Sequence, residues 1–212
     1  MPVVVLISGN GSNLQALIDS SHSDDCPYFI AAVASNQANA YGLLRAERAG
    51  IPRHCISHRD YADRDAFDQA MIECIDAYQP GLIVLAGFMR ILTTGFVQHY
   101  QGRMLNIHPS LLPKYRGLHT HQRAQDAGDK IHGLSIHFVT EELDDGPIVL
   151  QATVPVYPDD TVDTLSKRVQ LAEHIYYPQV VCWYAECRLS LYNNTVIFDQ
   201  NPLDAPIIYQ QG

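Results

Sequence analysis

From Val3 to His108 the chain alternates short apolar runs with amphipathic stretches, and this alternation restricts its possible folds more than any other feature. Val3–Ser8, Phe29–Ser35, Arg53–Ile56, Gly81–Ala86 and Met104–His108 read as strands; Leu14–Ser20, Tyr41–Ala49 and Ala62–Tyr78 have helical spacing. A run such as Val-Val-Val-Leu-Ile is apolar on both strand faces, which suits a sheet covered on both sides. Strand, helix and strand in succession call for parallel pairing through right-handed crossovers. The expected fold is therefore α/β, a doubly wound and mostly parallel Rossmann-like sheet. Gly50 suits the C′ position of the second helix. Gly133–Thr140 and Ile148–Pro155 read as an antiparallel pair extending the same sheet. A long helix follows, with Asp160 or Thr161 as N-cap, an apolar face of Val162, Leu165, Val169, Ala172 and Tyr176, and Pro178 near its end. A hairpin around Asn193-Asn194 is expected over 188–198, with weak order over 199–212.

Charge and cysteine usage narrow the function classes. Fourteen Lys and Arg against 23 Asp and Glu give a net charge of −9, which repels a nucleic acid backbone. No run approaches the ~20 apolar residues of a membrane span. The start, Met-Pro-Val-Val-Val-Leu, reads as a first strand rather than a signal peptide, so a cytoplasmic location is expected. Five cysteines without a Cys-x-x-Cys pair suggest reduced thiols, not a disulfide framework or a zinc site. Anionic substrates would have to be held by local donors.

Several segments place such donors together. In Leu105–Gly117, Asn106 and His108 are two apart and share a strand face, and Pro109 and Pro113 form a rigid turn beyond them. An amide donor beside a protonatable imidazole is what acyl or formyl transfer needs when a carbonyl oxygen takes on charge. Ser8–Asn13 joins the first strand to the first helix, where glycines permit close approach and helix N–H groups favour an anion. It lacks a Walker Lys, a third Gly in dinucleotide spacing, and an acid at the end of the second strand, all of which argues against a dinucleotide. Ala86–Leu92 combines a strand end, a glycine and Arg90, and Thr140–Pro147 concentrates four carboxylates in a turn.

Asn106-Ile107-His108 followed by Ser110-Leu111-Leu112-Pro113 and Gly117 resembles the folate-dependent formyltransferases. Asn10–Asn13, Ala86–Leu92 and Gly117–His121 resemble the members that formylate glycinamide ribonucleotide, and the likeness runs from about Val3 to about Tyr184. The resemblance implies 10-formyltetrahydrofolate as co-substrate, no metal, small-molecule substrates, neither nucleic acid nor membrane, and a monomer or homodimer. By the same resemblance Asn106, His108 and Asp144 would be catalytic. Gly11, Ser12 and Asn13 would hold the substrate phosphate, and Gln170 and Glu173 its glycinamide and ribose. Arg64, Met89, Arg90, Ile91, Leu92, Asn106, Thr140, Glu141, Glu142, Leu143 and Asp144 would contact the folate. The implied organisation is a formyltransferase domain over 1–187, with a phosphate-binding half of about 1–100 and a folate and catalytic half of about 101–187, and a C-terminal extension over 188–212. The family's Leu-Asp-x-Gly loop has Asp145 at its variable position, which leaves open whether Asp144 and Asp145 titrate together. Three other readings remain: a methionyl-tRNA formyltransferase, which would be expected to carry an RNA-binding C-terminal domain; a formyl-folate hydrolase, which typically carries an N-terminal regulatory domain; and a non-catalytic folate or nucleotide sensor.

Overall fold

The β-branched run at the start forms β1 (Pro2–Ile7), in which every residue from Val3 to Ile7 is buried. This computed structural model describes residues 1–210. The chain divides into two compact units, Met1–Asn106 and the part from Ile107 onward.

In the first unit β1 is followed by α1 (Ser12–Ser21), β2 (Phe29–Ser35), α2 (Tyr41–Arg48), β3 (Arg53–Cys55), a 3₁₀ turn at His58–Asp60, α3 (Arg64–Asp76), β4 (Leu82–Leu85) and α4 (Thr94–His99). The strand β5 (Met104–His108) runs across the boundary. β1 pairs with β2 and β4, β2 with β3, and β4 with β5, all in parallel. The spatial order is thus β3-β2-β1-β4-β5. Right-handed crossovers then place α1 and α2 on one face and α3 and α4 on the other, and α1 packs against α2, α3 against α4. The winding reverses between β1 and β4, which opens a crevice at their carboxyl ends.

Local signals account for the helix limits. Gly50 has φ +68°, its N–H donates to Glu47 O and that of Ile51 to Ala46 O, the Schellman closure expected of a C′ glycine. The Asp63 carboxylate caps α3 by accepting from Ala66 N, so the helix starts two residues later than its apolar spacing suggests.

The second unit holds α5 (Thr120–Asp126), β6 (Ile131–Phe138), β7 (Ile148–Pro155), α6 (Val162–Ala185), β8 (Leu189–Tyr192), β9 (Thr195–Phe198), β10 (Asn201–Pro202) and β11 (Ile207–Gln210). β6 and β7 form the expected antiparallel pair, and α6 packs on both. Thr161 is the N-cap of α6, in a reciprocal capping box with Thr164. Pro178 lies inside α6 and not near its end. The helix continues past the lost N–H because Tyr177, Pro178, Val180 and Val181 are all buried.

The hairpin at Asn193-Asn194 forms between β8 and β9, both asparagines having positive φ. The weak order expected from 199 is corrected for residues 199–210: β10 pairs with β9, and β11 joins β7 in parallel. Tyr209 stacks on Tyr176 at 4.7 Å. The β11–β7 pairing and the tyrosine stack are remote in sequence, so no local pattern announces them. Residues 211–212 lie outside the described part.

Candidate active site

In the first unit the loops after β1, β2 and β4 meet at the crevice. Ser8 Oγ donates to Asn36 Oδ1 at 2.6 Å and accepts from Met89 N at 2.8 Å, while Ser8 N donates to Gly87 O at 3.1 Å. One hydroxyl thus ties together three strand ends. Gly11, at φ +73°, precedes α1, whose first turn contains Ser12 and Asn13. Arg45 of α2 grips Asn10 of the same loop.

Beyond β4, Met89 is 69% and Ile91 54% exposed, with Arg90 and Leu92 half-buried between and beyond them. The Arg90 guanidinium lies 5.0 Å from the Phe67 ring centroid, and buried Asp68 accepts from Thr93 N at 2.7 Å. α3 therefore holds the exit of this loop. Arg64 is an exposed residue in the first turn of α3.

The second unit begins with the end of β5. Asn106 is half-buried and His108 buried, and strand alternation puts them on one face. The His108 Nε2–H donates to Tyr115 O at 2.9 Å; a carbonyl only accepts, which places a proton on Nε2. The Nδ1 atom faces Asp144 Oδ2 at 3.4 Å, and the same oxygen accepts from Gly117 N at 2.9 Å. Asp144 comes from the β6–β7 loop, at φ +50° and with a side chain only 8% exposed. Asp145 turns the other way and pairs with Arg116 at the surface. The two adjacent carboxylates therefore face different partners, so the coupling raised by their adjacency has no shared site.

Three residues that sequence reasoning passed over support this geometry. Ser135 Oγ donates to Ser110 O at 2.7 Å and accepts from Leu112 N at 3.0 Å, and Gln151 Nε2 donates to Leu112 O at 2.8 Å. They fasten the proline turn to β6 and β7. His137 Nδ1–H donates to Phe138 O at 2.9 Å, and its Nε2 is 3.8 Å from Asp144 Oδ1. Burial pushes His137 toward its neutral form. The signal available for all three was a polar residue inside an apolar strand run, which becomes informative only once its partner is known.

Thr140–Leu143 occupy the same loop as Asp144, with Glu141, Glu142 and Leu143 exposed. On α6, Gln170 is exposed, whereas Glu173 is 7% exposed; burial, and then the Glu173 charge, raise the pKa of the Tyr177 hydroxyl. Glu173 thus belongs to the buried side of α6: four residues after Val169 and three before Tyr176, it lies at the edge of the apolar face, whereas Gln170 points to solvent.

His121 Nδ1 and His132 Nε2 are 3.0 Å apart, so one nitrogen donates and the other accepts. Burial, then the His121 charge, pushes His132 down to about 4; burial and then the His108 charge lower His121. A histidine pKa depressed on folding favours the neutral ring. The stability this protects is complete above the ordinary value of 6.5 and is lost as pH falls from there toward about 4. Urea midpoints measured across that range should fall more steeply for the natural chain than for His132→Asn; equal slopes would sink the assignment.

Residues 1–181 match the formyl transferase family, and the chain belongs to that family. It is 53% identical over 199 residues to the phosphoribosylglycinamide formyltransferase of Escherichia coli (strain K12), covering 94% of each chain. Its likeness to the Haemophilus influenzae protein of the same name is 48% over 201 residues, 95% of each. A solved phosphoribosylglycinamide formyltransferase from Coxiella burnetii superposes with a TM-score of 0.95 at 51% identity, covering 99% of both chains.

Proposed function

We propose that this chain transfers the formyl group of 10-formyltetrahydrofolate to the amine of N1-(5-phosphoribosyl)glycinamide in purine biosynthesis. The observation that carries this reading is the buried Asp144–His108 pair at the end of the strand that bears Asn106, in a chain of this family. The exposed apolar side chains of Met89 and Ile91 fit a flat heterocycle with apolar faces. The glycinamide amine attacks the formyl carbon of bound 10-formyltetrahydrofolate; as the new C–N bond forms the bond to N10 breaks, and the proton the amine gives up goes to N10, releasing tetrahydrofolate.

Each residue then has a task. Gly11, Ser12 and Asn13 hold the phosphate at the α1 N-terminus, where backbone N–H groups and the helix dipole favour an anion. Gln170 and Glu173 take the glycinamide and ribose. Arg64, Met89–Leu92 and Thr140–Asp144 receive the folate. The Asn106 amide and the His108 imidazolium stabilise the oxyanion. Because Nε2 donates to a neutral carbonyl, a charged oxygen displaces Tyr115 O favourably: charge-assisted bonds are the stronger ones. Asp144, anchored by the Gly117 amide, orients the ring and balances its charge. The chain works in the cytoplasm on small molecules, without metal or nucleic acid, as a monomer or homodimer. Its formyltransferase domain spans 1–187, with 188–212 as an extension.

The test is absorbance detection of tetrahydrofolate-type product with and without glycinamide ribonucleotide. Product that depends on the ribonucleotide is expected. Release without it would favour a hydrolase, and saturable binding without turnover a sensor. Asp144→Asn keeps the left-handed backbone, which Asn also tolerates. Turnover should nevertheless fall by roughly 100-fold, with the folate Kd little changed. Unchanged turnover would remove Asp144 from the reaction.

A further inference from the structure

Arg45 has no place in the reading above, yet its guanidinium makes two hydrogen bonds to the β1–α1 loop and a third to α1. Its Nε donates to Asn10 O at 2.9 Å, Nη2 to Asn10 Oδ1 at 3.0 Å, and Nη1 to Gln15 Oε1 at 3.1 Å. All three acceptors are neutral. The guanidinium itself lies 4.9 Å from the centroid of the Tyr41 ring, whose hydroxyl accepts from Arg48 Nη1 at 3.2 Å. The loop also lies against the first turn of α2: Gly42 N donates to Gly9 O at 3.1 Å, and a Cβ on Gly11 would come within 2.7 Å of Gly42 Cα.

These contacts determine a direction. A trans peptide points its C=O and N–H to opposite sides. With the Asn10 carbonyl aimed at Arg45 on α2, the N–H of the Asn10–Gly11 peptide is aimed away from α2. Gly11 O simultaneously accepts from Gln15 N at 2.9 Å, which starts α1. The guanidinium holds both the peptide before Gly11 and the Gln15 side chain one turn further on. The Gly11 N–H, immediately before α1, is therefore oriented from α2.

We propose that Arg45 is a positioning residue for the substrate phosphate, acting through the Asn10–Gly11 peptide and not by contact with the reacting atoms. The proposal rests on the reading of Gly11, Ser12 and Asn13 as the phosphate site. A lysine keeps the charge but has no planar fork to span three acceptors. Arg45→Met and Arg45→Lys should therefore both be impaired.

Two measurements on the full chain test this. In steady-state kinetics the KM for glycinamide ribonucleotide should rise about 10-fold in both variants, as for one lost charge-assisted contact, with kcat and the folate KM within about twofold. In an amide NMR titration with inorganic phosphate, the Gly11 response should be present in the natural chain and shrink in both variants. A ribonucleotide KM that stays put, or one restored by Arg45→Lys, overturns the proposal, as does a parallel loss of kcat and folate affinity. The failure of the underlying reading looks different: Gly11, Ser12 and Asn13 amides in the natural chain that ignore phosphate, together with an Asn13→Ala variant of unchanged ribonucleotide KM.

Discussion

Turnover falls by ~100-fold or more in His108→Ala, and in Asn106→Ala, while the dissociation constants of both substrates stay within a few fold; this is the outcome expected of groups that act mainly in the transition state. The fold should tolerate the loss of the imidazole, because Asp144 keeps its bond from the Gly117 amide and the proline turn remains fastened through Ser110, Ser135 and Gln151. Steady-state kcat and equilibrium dialysis for each ligand provide the check. If either variant retains its turnover, that residue does not stabilise the oxyanion.

The second large effect is expected from a single methyl group. A Cβ on Gly146 would lie 1.8 Å from Phe138 O and 2.9 Å from the carbonyl carbon, both backbone atoms of β6. No flexible side chain can yield there. Phe138 also donates its N–H to Pro147 O at 3.0 Å, closing the loop that carries Asp144. Gly146→Ala must therefore open this closure, at a cost of about 3 kcal/mol, the upper end for overpacking. A lowered urea midpoint is expected, together with loss of turnover as Asp144 leaves His108. A variant with natural stability and kcat would show that the loop relaxes where the geometry says it cannot.

Much of the molecule was legible in one dimension. The run Val3–Ile7, the C′ glycine at Gly50 and the asparagine pair at 193–194 each act through near neighbours, and each has the structure its pattern implies. Asn106 and His108 were readable for the same reason: two residues on one strand have a relation fixed by the strand itself. The adjacency of Asp144 and Asp145 had no such reading. Their division between His108 and Arg116 depends on a positive φ at residue 144 and on the chains packed around the loop.

The sequence by itself determined the alternation of strands and helices, the parallel class of the first unit, the turn glycines and the family to which the chain belongs. Local propensity and periodicity specify these, and they survive in any context that buries the apolar faces. The tertiary structure alone decided that Glu173 is buried, that α6 continues past Pro178, that β11 pairs with β7, and that Ser135, His137 and Gln151 stand behind His108 and Asp144. The physical reason is that the free energy of a buried polar group depends on whether a partner meets it, and here the partners of Ser135 and Gln151 lie 16 or more residues away, where no local pattern reaches.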